Sequence, residues 1–256
     1  MPFTLSHPAA IGPLWPVVRR LRLPLAALAI GAMAPDFEFF LHLRPEARWS
    51  HSPWGLVAFC LPAGFAAYLV WEGFVRAPVR ALLALPATSA DASETSRAPW
   101  WWARAAGAVL LGAATHLVWD GFTHGGYWGA SRWPWLLSPA LTVRGRIVPW
   151  FNLLQHLSTL LGGVVVIVWL GVTLHRAGAF ARLRRSRWRQ GTLTCLMLAA
   201  CGAGIWSGAR SSRPSDFWTL QVAVGTLLGL ALATLAYSAL FRFRRGTLRP
   251  SWYEWR

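Results

Sequence analysis

His116, Asp120 and His124 follow one another at intervals of four near the end of a long apolar run, within Thr115-His116-Leu117-Val118-Trp119-Asp120-Gly121-Phe122-Thr123-His124. On an α-helix each interval advances about 40° and rises about 6 Å, so the three side chains share one face. An imidazole and a carboxylate on adjacent turns can grip one divalent ion, as paired helical histidines do in zinc proteases. A straight helix would hold His116 and His124 about 12 Å apart. Either Gly121, Gly125 and Gly126 turn the backbone, or His124 serves a second ion or the substrate. An aspartate within an apolar span costs about 2.5–3.5 kcal/mol on insertion scales and ordinarily faces a partner inside a bundle. Taken alone, the motif fits a metal-ligand pair and a buried staple between helices equally well.

Three further residues favour the metal. Residues 8–18 and 24–40 are apolar but interrupted by Pro16, Arg19, Arg20, Arg22 and Pro24, which predicts a hairpin of two helices rather than one span. With the turn at residues 19–23 the two arms have similar length, so His7 and Asp36 meet at the open end. His51 follows shortly after. His7, Asp36, His51, His116 and Asp120 make the mixed imidazole and carboxylate set that Zn²⁺, Mn²⁺ or Fe²⁺ favours. Glu38 points about 200° away from Asp36 on a helix and is a candidate general base only if the helix frays. Asn152, His156 and Thr159 form a stripe on one helical face that is expected to turn inward, and Thr123, Asn152 and His156 are placed behind the ligands or against the substrate. His124 is assigned to the reaction itself. His42 and His175 read as interfacial residues, and Glu72, Asp91, Glu94 and Asp216 as acids at span ends or in loops.

The elements that must position these groups are membrane helices. The 256 residues are 55% hydrophobic and 13% charged, with mean hydropathy +0.39, which excludes a soluble domain with a polar surface. Five runs, 53–75, 100–121, 150–174, 190–209 and 217–241, reach the roughly 20 apolar residues a helix needs to cross a bilayer. The fold expected is therefore all-α, a polytopic bundle of about five full spans plus the N-terminal hairpin. By segment, 1–48 is the hairpin, 49–175 a three-span core carrying the site, and 176–256 an Arg-rich loop with two anchoring spans. The polar stretch from Pro86 to Pro99 reads as a flexible loop.

Charge orients the bundle. The chain carries 25 Arg, no Lys and 9 acids, a formal +16 that would suggest nucleic acid in a soluble protein. Here the arginines lie between apolar runs, as in cytoplasmic loops, and no nucleic-acid partner is expected. Placing the hairpin tip, 76–104, 176–189 and the C-terminal tail on one side gives that side 18 Arg and the other 7. The first is then cytoplasmic, and the His/Asp residues fall at the opposite face of a bacterial inner membrane. Trp100, Trp101, Trp102, Trp133, Trp135 and Trp150 flank span ends, where indoles prefer to lie. Arg19, Arg20 and Arg22 before an apolar stretch ending Ala32-Met33-Ala34 mimic a secretion signal, but Pro35 after the cut and the distance from Met1 argue against cleavage. Cys60, Cys195 and Cys201 lie in apolar runs without a CxxC pair, which points to packing rather than disulfides or thiolate ligation.

The opening Met1-Pro2-Phe3-Thr4-Leu5-Ser6-His7-Pro8, then Met33-Ala34-Pro35-Asp36-Phe37-Glu38, His51-Ser52 and the His116, Asp120, His124 run, closely resembles the bacterial membrane family called domain of unknown function 4184, up to about His156. More distantly it is similar to the LexA-regulated inner-membrane family described as metal-dependent hydrolases. That family's early His, PDxD, THS and HxxxD segments land on His7, Asp36, His51, and His116 with Asp120. This chain has Glu38 in place of the second Asp of PDxD, and lacks an upstream His before His51. The resemblance implies hydrolysis that depends on one or two divalent ions, Zn or Mn, held by these residues. A site at headgroup depth suggests a lipid or lipid-linked ester or phosphoester as substrate, with the bilayer as partner. The competing class is a transporter or assembly factor using the same residues for ion binding or helix packing. A transporter predicts broken helices duplicated in two halves, and no such duplication is present.

Overall fold

A computed structural model describes residues 3–43, 47, 49–86, 99–143, 145–210 and 215–246. The stretch between Pro86 and Pro99, read as a loop, lies outside them apart from its ends. The architecture is all-α. Among the described residues six helical segments, Leu25–His42, Pro53–Leu82, Trp100–Thr123, Trp150–Arg176, Arg187–Ala209 and Trp218–Arg244, are long and apolar enough to cross a membrane. The five runs read from the sequence are among them.

The sixth is the second arm of the hairpin. Its first arm starts as a 3₁₀ helix, Thr4–Leu14, because Pro8 and Pro13 deny the N–H groups a regular α-helix would use. It continues as α1 (Trp15–Arg20), where Pro16 falls in the first turn and its missing N–H costs nothing. Arg22 takes a left-handed φ of 51° at the tip. The chain returns through α2 (Leu25–Met33), a 3₁₀ turn Ala34–Asp36 and α3 (Phe37–His42). Pro24 precedes this arm and Pro35 lies in the first turn of its 3₁₀ segment, so neither breaks it, and the arm expected over 24–40 to fall short of a span reaches spanning length.

Ser52 opens α4 (Pro53–Leu82) by accepting the Gly55 N–H at 2.9 Å. This helix contains two π turns, Leu56–Cys60 and Trp71–Val75. They close with bonds from Leu61 N–H to Leu56 O and from Arg76 N–H to Trp71 O. Each lies just before a proline, Pro62 and Pro78, and the widened turn relieves the clash of the ring with the preceding carbonyls. α5 (Pro99–Thr123) and the short α6 (Trp128–Arg132) follow. Next comes an antiparallel pair the sequence reading did not anticipate, β1 (Pro139–Val143) and β2 (Arg146–Pro149), with Val143 opposite Arg146 and Gly145 at a φ of 77° in the turn. α7 (Trp150–Arg176), α8 (Ala179–Arg184), α9 (Arg187–Ala209) and α10 (Ser215–Arg244) complete the order.

Two compact units interleave along the chain. The first comprises Met1–Phe37, Arg48–Ala66 and Pro99–Leu170. Its centre is the contact of α2 with α5, where Ala27, Leu28, Gly31 and Ala32 face Ala105, Ala108, Val109 and Ala113, all buried. A Cβ on Gly31 would stand 2.3 Å from Val109 O, and one on Gly112 2.2 Å from Leu28 O. The backbones therefore touch, as small residues allow in membrane bundles. The second unit comprises Glu38–Ala47, Ala67–Ala98 and Gly171–Arg256. There α9 and α10 pack through Gly204, Gly208, Gly225 and Gly229. Arg242 donates to Gly73 O and Phe74 O, two carbonyls of the second π turn.

Candidate metal centre

All five expected ligands lie in the first unit, brought together from four separate stretches of chain. Ser6 bonds back to Phe3 O, and Phe3 N–H donates to Thr159 Oγ1 of α7 at 3.1 Å. Gly162 lets the same helix approach until a Cβ there would lie 2.9 Å from Ser6. These contacts hold His7 in place from the α7 side. Asp36 sits at the end of the 3₁₀ turn that follows α2. His51 stands one residue before the Ser52 cap, and His116 and Asp120 lie on successive turns of α5.

The donor atoms converge. Asp36 Oδ1 lies 3.5 Å from His51 Nε2 and 3.6 Å from His116 Nε2, while Asp120 Oδ2 lies 3.4 Å and 3.3 Å from the same two nitrogens. A tetrahedral ion with bonds of 2.0–2.1 Å keeps its donors about 3.3–3.4 Å apart. The other oxygen, Asp120 Oδ1, faces His7 Nε2 at 3.8 Å. The ring of His7 stacks on that of His116 with centroids 3.6 Å apart. His7, Asp36, His116 and Asp120 are all buried, and among the described residues the Asp36 and Asp120 oxygens, both His7 nitrogens and His116 Nε2 have no hydrogen-bond partner. Two ligand triads result, His7–His116–Asp120 and Asp36–His51–His116.

Hydrogen bonds behind these residues set their orientation. His116 Nδ1 lies 2.7 Å from Ala32 O, and since a carbonyl can only accept, Nδ1 carries the proton and Nε2 is the atom turned toward the carboxylates. A neutral imidazole presents a lone pair there, against the lone pairs of two carboxylate oxygens. Only a proton or a metal cation between them makes the arrangement favourable. His51 Nδ1 similarly meets Ser50 Oγ at 2.9 Å, leaving Nε2 toward the cluster. A ligating histidine whose other nitrogen is held by a carbonyl or hydroxyl is the usual pattern in metal sites. Burial would lower the pKa of His51, but the Asp120 and Asp36 carboxylates overcome it and raise the group to about 9. Burial, reinforced by His116, lowers His7 to about 3. The buried donor set fits a divalent transition metal.

The remaining candidates are placed less centrally. α5 ends at Thr123, and His124 follows directly on its last turn. Its ring folds back, with Nδ1 3.1 Å from Asp120 O and 3.7 Å from Asp120 Oδ1. Thr123 is buried, and its hydroxyl meets His124 Nδ1 at 3.3 Å and Trp119 O at 3.3 Å. Glu38 is buried but belongs to the second unit and to neither ligand triad. His156 is exposed, contrary to the inward stripe expected of it, while Asn152 is partly buried. The stripe's third member, Thr159, does face inward and anchors Phe3.

Several contributors are not legible as a motif. Ser50 and the Ala32 carbonyl orient ligands, yet nothing about their type marks them. Tyr127 lies 4.9 Å from the His124 ring and 6.2 Å from that of His51. Burial, with the charges of Asp120 and Asp36, raises its hydroxyl to about 12, so it is a neutral donor at the rim. Gly125-Gly126 immediately before it is the available sequence signal.

No curated protein and no solved structure matches the chain. The family model described as Domain of unknown function (DUF4184) matches residues 1–239. The His/Asp cluster lies wholly within that match, and the chain belongs to this family.

Proposed function

We propose that this protein is a metal-dependent membrane hydrolase acting on a lipid or lipid-linked ester or phosphoester. The observation that carries the reading is the ring of buried donors around His116 Nε2. His116 Nδ1 is committed to Ala32, so the two triads share one donor atom, and one imidazole nitrogen serves one ion. His51, His116, Asp36 and Asp120 are the ligands, and His7 sits against Asp120 Oδ1. Zn²⁺ or Mn²⁺ suits this mixed nitrogen and oxygen set. When bound, such an ion would lower the pKa of its water toward neutrality and polarise the scissile group. His124 and Tyr127, at the rim, are positioned to hold substrate or leaving-group oxygens.

A lipid substrate is supported by the surroundings. Trp128, Trp133, Trp135 and Trp150, between the end of α5 and the start of α7, are exposed, as indoles at headgroup depth are. The test is direct: purified protein, assayed for metal content, should hold a stoichiometric transition metal, and should release product from vesicles containing lipid esters or phosphoesters. A metal-free, chelator-insensitive protein overturns the reading.

The side of the membrane follows from charge. The segment 176–190, with six Arg, and the C-terminus are expected in the cytoplasm, and 125–149 outside a bacterial inner membrane. A cysteine placed at residue 186 should resist impermeant reagents in intact cells. Labelling there from outside moves the site to the cytoplasmic face.

Metal affinity should rise with pH. His51 in the metal-free protein keeps its proton up to about 9, so the ion must displace it. Affinity then increases about tenfold per pH unit below that value, and acidification releases the metal. Titrations between about pH 6 and 8 that show no dependence exclude His51 as a ligand.

A further inference from the structure

We infer that a groove beside the N-terminal 3₁₀ helix holds one acyl chain of the lipid substrate, an inference that rests on the lipid-hydrolase reading above. Two cavities of about 260 and 500 Å³ lie between this helix and α7. Ala9 and Val165 line both, so they adjoin. The smaller one is lined by His7 at the metal cluster and by Leu157 and Ser158 of α7. The larger runs past Gly12 to Trp15 and Trp169.

Three features select an acyl chain. The groove adjoins the site, because His7 lines the smaller cavity and also stands against Asp120. It extends along α7 from residue 157 to residue 169, about 18 Å at 1.5 Å per residue, which matches the roughly 15 Å of one leaflet, half of a 30 Å hydrocarbon core. Its α7 wall belongs to the most apolar of the spans, hydropathy 2.2 and 6% buried, so the groove opens to hydrocarbon rather than to water. Beyond Ser6, His7 and Ser158 at the site end its walls are apolar. A chain seated there would place its ester or phosphoester beside His7. Gly12 contributes an open stretch of wall, since a Cβ there meets nothing within 4 Å.

Full-length protein in phosphatidylglycerol nanodiscs doped with a phospholipid bearing a mid-chain diazirine provides the test, with crosslinks mapped by mass spectrometry. Crosslinks should concentrate on Ala9, Gly12 and Val165. Gly12→Leu and Val165→Trp should reduce them to the level seen at Ile167, about 200° further round the same helix and outside the groove lining. Ile167→Trp, a comparable increase in bulk, should leave them unchanged. His116→Ala should also retain them, because the groove does not need the metal. Crosslinks spread evenly over Val165 and Ile167 overturn the groove while leaving the metal reading intact. Groove crosslinks in a protein without metal do the reverse.

Discussion

Replacing His116 by Ala, or Asp120 by Asn, is expected to abolish metal binding and any lipid hydrolysis. His116 Nε2 is the donor shared by both ligand triads, and Asp120 offers one oxygen to His51 and His116 and the other toward His7. Loss of either opens the ring of donors on two sides at once. The structural cost is also large. Asp36 and Asp120 are both fully buried, and a buried carboxylate deprived of its counter-charge costs about 3–5 kcal/mol. Chelating the wild-type protein should therefore lower its thermal midpoint, and should leave the Asp120→Asn variant unaffected. His156→Ala and His175→Ala, outside the cluster, should change neither metal content nor stability. If wild type, Asp120→Asn and chelated protein share the same metal content and midpoint, the pair is a helix staple and the enzyme reading falls.

The second large effect should come from a residue that touches no ligand. Gly112→Ala places a Cβ 2.2 Å from Leu28 O and 2.6 Å from Ala32 N, against backbone that cannot give way unless α2 and α5 separate. Overpacking of this kind costs about 1–3 kcal/mol. The separation also lengthens the bond from His116 Nδ1 to Ala32 O, which sets the direction of Nε2, so metal occupancy should fall together with stability. Gly107→Ala is the matched control on the same helix, where a Cβ meets nothing within 4 Å. That variant should be neutral or stabilised by up to about 1 kcal/mol, from helix propensity alone. Equal metal content in the two variants, measured on folded protein, would show that close packing of α2 on α5 does not position His116.

The membrane-spanning class, the hairpin and the meeting of His7 with Asp36 could be read from residue order, because they depend on run length, on where Pro and Arg interrupt, and on helical rise. The pairing of His116 with Asp120 follows from the interval of four alone. Hydropathy also located five of the six candidate spans. It undercounts the second hairpin arm because Pro24 reads as a break, whereas its position just before the first turn makes it harmless.

What residue order could not supply is which atoms face which. That His116 donates to the Ala32 carbonyl depends on a glycine-to-backbone contact between α2 and α5, made by residues 81 positions apart in Gly31 and Gly112. The turn of His124 back onto Asp120, the exposure of His156 and the assignment of Glu38 to the second unit are equally matters of where helices end and which neighbours they meet. Periodicity specifies the face a side chain occupies on its own helix. Only the packing of that helix against others decides whether the face looks into a site, into the bilayer or into another part of the protein.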